Sequence, residues 1–200
     1  MNPHRYREAL EFALRAHEGQ FRKGSGIPYI THPVSVSAIL AQYGYEEDLV
    51  IAGLLHDVLE DTAVTRTELG SRFGVRIASL VSGVTEKKKD AKGLPRPWEI
   101  RKEEGLRHLG VAEEQVVALK AADALHNVEC LIRDLRIVGD DIWTRFKRGQ
   151  EQQLDYYMRL SGLIRSRLGE APLALELCEA VDRLEDLAYE VIGPVASKNS

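Results

Sequence analysis

Cysteine is scarce in this chain: Cys130 and Cys178 are the only two in 200 residues, and they sit singly in helical patterns with no metal-binding spacing and no pairing logic. A disulfide framework is therefore excluded, and the thiols fit buried positions in a reducing compartment. No apolar run approaches the roughly 18 residues that a membrane span needs. The first residues, Met1 to Arg7, lead into an amphipathic helix instead of an apolar signal core, so a cytoplasmic protein is the expectation. An excess of charge of one sign is missing too. With 27 Lys and Arg against 31 Asp and Glu the net charge is −4, which does not describe a basic nucleic-acid coat, and any anionic ligand must meet local positive charge. Nor does any stretch alternate with period two convincingly enough to read as a strand, so the chain is expected to be all α. Hydrophobic content of 44% and charged content of 29% fit one soluble globular domain able to bury a core without staples.

The pattern divides into helices by its breakers. Asn2 caps and Pro3 opens a first helix that ends near Gly19. Two glycines and two prolines between Gln20 and Pro33 enforce a loop, and Pro33 restarts a helix to Gly44 with His32 at its cap. A central helix is predicted over Glu47 to Asp61. A capping box at Thr65 to Glu68 starts a short helix that stops at Gly74, and another runs from Val75 to about Thr85. Glu86 to Pro97 lacks periodicity and reads as an exposed loop. Trp98 to Leu109, a strongly buried helix from Glu113 past Leu131, Asp141 to about Leu168, and Pro172 to Ile192 complete the expected set, about eight to ten helices in all.

The chemistry concentrates where the apolar run Leu49-Val50-Ile51-Ala52-Gly53 meets His56, Asp57, Glu60 and Asp61. Carboxylates carried into a low-dielectric interior cost several kcal/mol or lose their charge unless something compensates, and a bound cation does so. His56 and Asp57 are adjacent, about 100° apart on a helix, yet both can reach one ion over the seam between them. Glu60 and Asp61 follow one turn later on the side where water and substrate would sit. Between Val116 and Val128 of the second buried helix Asp123 is the one acidic residue, as isolated as Asp57, and His32 stands at a rigid corner. Two imidazoles and two carboxylates leave positions open on a six-coordinate ion, which suits Mn²⁺ or Fe²⁺ better than a closed zinc site or Mg²⁺. Open positions point to catalysis, with Glu60 and Asp61 orienting or deprotonating water.

The order His32, His56-Asp57, Asp123 resembles the HD superfamily of metal-dependent phosphohydrolases. The surrounding motifs are narrower: Arg22-Lys23-x-Gly-x-Pro-Tyr-x-x-His-Pro, His56-Asp57-x-x-Glu60-Asp61-Thr62 and Lys120-Ala-Ala-Asp123-x-x-x-Asn127 resemble the hydrolase half of the RelA/SpoT proteins and the small stand-alone alarmone hydrolases. The resemblance covers about Ala9 to Leu135 and continues less distinctly to about Leu168. It implies a single HD-domain helical bundle over 1–200, with the metal-site core in about 1–135 and C-terminal helices in 140–192. It implies Mn²⁺-dependent hydrolysis of (p)ppGpp to GDP or GTP and pyrophosphate, with metal held by His32, His56, Asp57 and Asp123 and chemistry by Glu60 and Asp61. Arg22, Lys23 and Ser25 match the family's nucleotide-contacting loop, and Asn127 a ribose or phosphate contact. A guanidinium fork and an ammonium on a glycine-bounded loop suit a base plane and a polyphosphate. Small-molecule nucleotide, not nucleic acid or membrane, is the implied partner, and a homo-oligomer is compatible with it.

Synthesis of the alarmone is not expected, since the synthetase and regulatory portions do not occur in the sequence. The segment Val138 to Lys147 departs from the small hydrolases, which leaves Lys147 and Tyr156 unassigned, and the Lys87–Arg96 loop reads equally as a phosphate lid or a solvated charge run. Two other readings stand beside alarmone hydrolysis: an HD phosphohydrolase on another nucleotide or phosphoester, and a non-catalytic nucleotide sensor, against which the Glu60-Asp61 pair argues.

Overall fold

Asn2 caps the first helix as expected, its side chain accepting the His4 N–H at 2.9 Å, with Pro3 in the first turn where a missing N–H costs nothing. The structure is a computed structural model and describes residues 1–190. In chain order its α-helices are α1 (Pro3–Ala16), α2 (Thr31–Gln42), α3 (Glu47–Leu55), α4 (Val58–Asp61, a single turn), α5 (Arg66–Phe73), α6 (Val75–Val84), α7 (Trp98–Val111), α8 (Glu114–Val138), α9 (Gln150–Leu168) and α10 (Pro172–Glu190), with a 3₁₀ segment at Gly139–Arg145. Among the described residues β contact is limited to two isolated bridges, Phe21 with Pro28 and Lys89 with Pro95. No described helix is long and apolar enough to cross a membrane.

The core forms around α3 and α8. Every residue of α3 from Leu49 to Leu55 is buried, which is why its sequence has no polar face, and it packs against α1, α2, α6 and α8. Gly53 makes the α2–α3 contact close: a Cβ there would stand 2.9 Å from the Ser37 Cα and 3.0 Å from the Leu40 side chain. The Ser37 hydroxyl, itself buried, donates to the Val50 carbonyl at 2.9 Å across the same seam. α8 buries twelve residues, Val116 to Leu135, against α2, α3 and α6 on one side and α9 and α10 on the other.

Three boundaries differ from the sequence reading. The helix expected over Glu47 to Asp61 is interrupted at His56-Asp57, where Asp57 adopts φ −98° and ψ −6° and α4 restarts at Val58. His32 lies inside the first turn of α2 and not at its cap, because Thr31 begins the helix and Pro33 falls among the first four residues, whose N–H groups have no helical partner in any case. The helix expected over Asp141 to Leu168 is divided: α8 ends at Gly139 (φ +60°), the 3₁₀ segment buries Ile142 and Trp143, and α9 starts only after Gly149. The expected end of the last helix at Ile192 lies outside the described residues.

Candidate metal centre and active site

The break between α3 and α4 brings the two neighbours His56 and Asp57 onto one point. His56 Nε2 stands 3.0 Å from Asp57 Oδ2, whereas a continuous helix would turn the two side chains about 100° apart. The first turn of α2 adds His32, with Nε2 3.2 Å from His56 Nε2 and 3.6 Å from Asp57 Oδ2. The middle of α8 adds Asp123, whose Oδ1 is 3.2 Å from His32 Nε2 and 3.9 Å from His56 Nε2. Three separate segments thus converge their imidazole and carboxylate atoms on one spot. The tightest part of the cluster, with ligand atoms all within 4.8 Å of one another, is His32, His56 and Asp57.

Hydrogen bonds outside the cluster aim the rings. His56 Nδ1 donates to the Gly53 carbonyl at 2.8 Å, which leaves the Nε2 lone pair directed inward. His32 Nδ1 meets His126 Nδ1 at 2.7 Å, so with His32 Nε2 free for the centre its Nδ1 is the donor and His126 the acceptor. Burial and the facing His32 and Arg22 push His126 down to about 3, which keeps it a neutral acceptor. Burial also disfavours charge on His56, but without a cation the Asp57 carboxylate beside it, helped by Asp123, overrides this and holds the imidazole up at about 9, a proton on Nε2 taking the place that a metal would fill. For Asp57 and Asp123 burial is likewise outweighed, by His56 for Asp57 and by Lys120 (Nζ to Asp123 Oδ2, 2.8 Å) for Asp123, and both carboxyls lie below their usual range. The four groups are donors of the kind and number that an octahedral divalent cation takes while keeping positions open.

Glu60 and Asp61 border the same cavity, of about 240 Å³, which Arg22 and Asn127 also line. Glu60 accepts the Glu86 N–H at 2.9 Å, and burial raises its carboxyl above the ordinary glutamate value against the lowering effects of that bond and of Lys88. The Lys88 ammonium pairs with both carboxylates, 3.1 Å from Glu60 Oε1 and in closer contact with Asp61. The Tyr29 hydroxyl lies 2.6 Å from Asp57 Oδ2 and 3.2 Å from Asp61 Oδ2, linking the metal cluster to the carboxylate pair. Its phenol is driven far up, by burial first and by Asp57 next, and therefore stays a donor.

Arg22 and Asn127 connect the loop before α2 to the cluster. The Arg22 guanidinium donates to Asn127 Oδ1 at 2.8 Å, and Asn127 Nδ2 donates to Asp123 Oδ1 at 2.6 Å, a chain from the loop to the metal cluster. Both residues also line a second cavity of about 400 Å³, together with Lys23 and Ser25, which do not reach the first. Lys23 places its ammonium 5.1 Å from the centre of the Phe146 ring. The Ser25 hydroxyl is engaged within the loop, donating to the Arg22 carbonyl at 3.3 Å and accepting from the Ile27 N–H at 3.4 Å. Gly24, at φ +71°, lets the Arg145 side chain lie across this loop while Arg145 pairs with Asp134 at 2.8 Å. Tyr156 packs against Trp98 and Tyr157 and is buried; Lys147 is exposed.

Sequence reasoning assigned nothing to Tyr29, Lys120 or His126. Lys120 and His126 lie three residues before and after Asp123, on its face of α8, and that spacing is the signal that could have found them. Tyr29 was visible within the loop motif, but its two carboxylate partners come from a segment about thirty residues away.

An all-α bundle that buries a His/Asp cluster at an interrupted helix has the architecture of HD domains, and residues 9–151 match that family: the chain belongs to the HD-domain family. It is 36% identical over 185 residues to a guanosine-3′,5′-bis(diphosphate) 3′-pyrophosphohydrolase of Haemophilus influenzae, over 91% of this chain and 24% of that protein. It is 33% identical over 191 residues to a GTP pyrophosphokinase of Myxococcus xanthus, over 94% of this chain and 23% of that protein. The chain spans about a quarter of the length of these curated relatives. Of solved structures, a metazoan ortholog of SpoT that hydrolyses ppGpp matches with a TM-score of 0.75 and 27% identity, over 94% of this chain and 98% of that one. A Listeria monocytogenes protein matches with a TM-score of 0.67 and 32% identity, over 79% and 96% of the two chains.

Proposed function

We propose that this chain is a cytoplasmic, Mn²⁺- or Fe²⁺-dependent hydrolase of (p)ppGpp, releasing pyrophosphate from the 3′ position and leaving GDP or GTP. The observation that carries the reading is the pair of adjoining cavities. A chamber bordered by Arg22, Lys23 and Ser25 adjoins the polar cavity that holds the His/Asp cluster, the two sharing Arg22, Tyr29, Asn127 and Tyr157 in their linings, so a nucleoside and its 3′-phosphates have neighbouring places. The names of the pyrophosphohydrolase relative and of the metazoan ortholog support the same substrate.

In this reading His32, His56, Asp57 and Asp123 hold the divalent cation, which supplies charge stabilisation at the phosphoryl group and acidifies water. Arg22 faces the base, Lys23 takes the 5′-phosphates and Asn127 orients the ribose, while Ser25 shapes the loop that carries them. Glu60, its carboxyl raised by burial, and Asp61 take the proton from the attacking water. The new P–O bond forms from that water in line with the bond to the ribose 3′-oxygen, which breaks, and the 3′-oxygen takes a proton from solvent to leave as the hydroxyl while the carboxylate pair returns the water proton to solvent. Tyr29 donates to Asp57 and Asp61 and keeps the metal cluster and the base in register. Product analysis on a nucleotide panel with Mn²⁺ tests this: GDP and pyrophosphate from ppGpp are expected, and a product that still carries the 3′-phosphates would overturn it.

A further inference from the structure

The loop between α6 and α7 is organised around one cation. Glu86 anchors its start, with its carboxylate 2.7 Å from Arg101 and 2.6 Å from Lys102 of α7 and its N–H on Glu60. Arg96 anchors its end, 2.6 Å from Glu104. Between them the chain doubles back on itself, the Arg96 N–H donating to the Lys88 carbonyl at 2.9 Å and the Asp90 N–H to Leu94 at 2.9 Å. Of the three consecutive lysines Lys87, Lys88 and Lys89, only Lys88 makes an ion pair among the described residues, and it makes two, to Glu60 and Asp61 together. Those partners are largely buried, with 16% and 23% of their side chains exposed, unlike the partners of an ordinary surface pair.

A carboxylate pair neutralised by an ammonium is a poor acceptor for a water proton, and the ammonium occupies space on the side from which water approaches. Lys88 also borders the cavity into which the outer phosphate of a 3′-diphosphate would project, beside Lys102 and Lys120. We infer that Lys88 is a specificity-determining latch: it holds Glu60 and Asp61 while the site is empty and transfers to the outer phosphate of a 3′-pyrophosphate, so that the base is freed only by a substrate that has that phosphate. The inference rests on the proposed alarmone reading and adds discrimination between 3′-diphosphate and 3′-monophosphate, expressed in turnover as well as in binding.

The test uses the Mn²⁺-loaded full chain with ppGpp and with guanosine 5′-diphosphate 3′-monophosphate. Lys88→Met is expected to lower kcat on the diphosphate and raise it on the monophosphate, compressing the ratio by about tenfold or more, which corresponds to about 1.4 kcal/mol. A proportional fall on both substrates would overturn the latch, since a residue with only a structural role loses both. A second readout needs no turnover. Inorganic pyrophosphate is titrated calorimetrically into the wild type, Glu60→Gln, Lys88→Met and the double variant. Glu60→Gln is expected to tighten pyrophosphate binding several-fold only when Lys88 is present, because it releases Lys88 to the anion; an equal gain in the Lys88→Met background would mean simple charge repulsion and contradict the latch. Absence of GDP and pyrophosphate from wild type alongside an intact coupling would sink the substrate reading and leave the latch standing. Hydrolysis with additive binding effects would do the reverse.

Discussion

At the scale of the residue, the four groups Glu60, Asp61, Arg22 and Asp57 have separable tasks. Glu60→Gln keeps shape but loses the proton acceptor, so the variant should retain metal, bind nucleotide and lose about 10²–10⁴-fold in kcat. Arg22→Ala should instead raise KM more than it lowers kcat, because a contact made before the reaction acts on ground and transition states alike. Steady-state kinetics with metal analysis separates the two. The pH dependence follows from what surrounds Glu60: burial raises its carboxyl, the Glu86 N–H and Lys88 lower it, and Asp57 and the Glu86 carboxylate raise it. The net shift is upward, so the base is protonated and inactive at low pH, and the acidic limb of kcat/KM should lie above the ordinary glutamate value. Removing Lys88 removes a lowering influence and should move that limb to higher pH; a shift downward in Lys88→Met would contradict the assignment. At this scale the His/Asp cluster was legible in sequence because charged groups inside apolar runs stand out. The docking of Lys88 was not, since Lys87, Lys88 and Lys89 are chemically identical in an aperiodic loop and only the fold selects among them.

At the scale of the element, the break between α3 and α4 is what makes two adjacent residues act on one centre. No glycine or proline marks it, and Val58 and Leu59 continue the apolar pattern, so periodicity alone reads Glu47 to Asp61 as a single helix. The 3₁₀ segment was hidden for a similar reason, as no glycine or proline stands between Gly139 and Gly149 to mark a change of helix type, and Ile142 and Trp143 are buried in a tighter turn. The capping of α1 by Asn2 and of α5 by Thr65 was legible because caps are local hydrogen bonds, and the Thr65 side chain does accept the Glu68 N–H at 3.2 Å. The α2–α3 seam carries a sharp prediction. Gly53→Ala would press a methyl against the Ser37 backbone, and its neighbours can yield only by moving His32 or His56 with their helices. It should destabilise the protein by about 1–3 kcal/mol. Thermal unfolding with and without Mn²⁺ checks this, and an unchanged Tm would mean that the seam is looser than its geometry.

At the scale of the whole molecule, α8 joins everything: it carries Asp123, Lys120, His126 and Asn127 while packing on α2 and α3 on one side and α9 and α10 on the other. We propose on that ground that 1–200 behaves as a single domain. The architecture was legible as all α because no stretch alternates with period two, whereas the Arg22–Asn127 contact that borders both cavities was not, since 105 residues separate the partners. We propose that one metal centre built by His32, His56, Asp57 and Asp123 cleaves the 3′-pyrophosphate of ppGpp. The most direct measurement is chromatographic product analysis of ppGpp with Mn²⁺, on wild type and on Asp57→Ala, with the metal content of each determined. GDP and pyrophosphate in equal amounts are expected from the wild type, with loss of both metal and turnover in Asp57→Ala; full metal content and wild-type turnover in that variant, or products that keep the 3′-phosphates, would contradict this assignment.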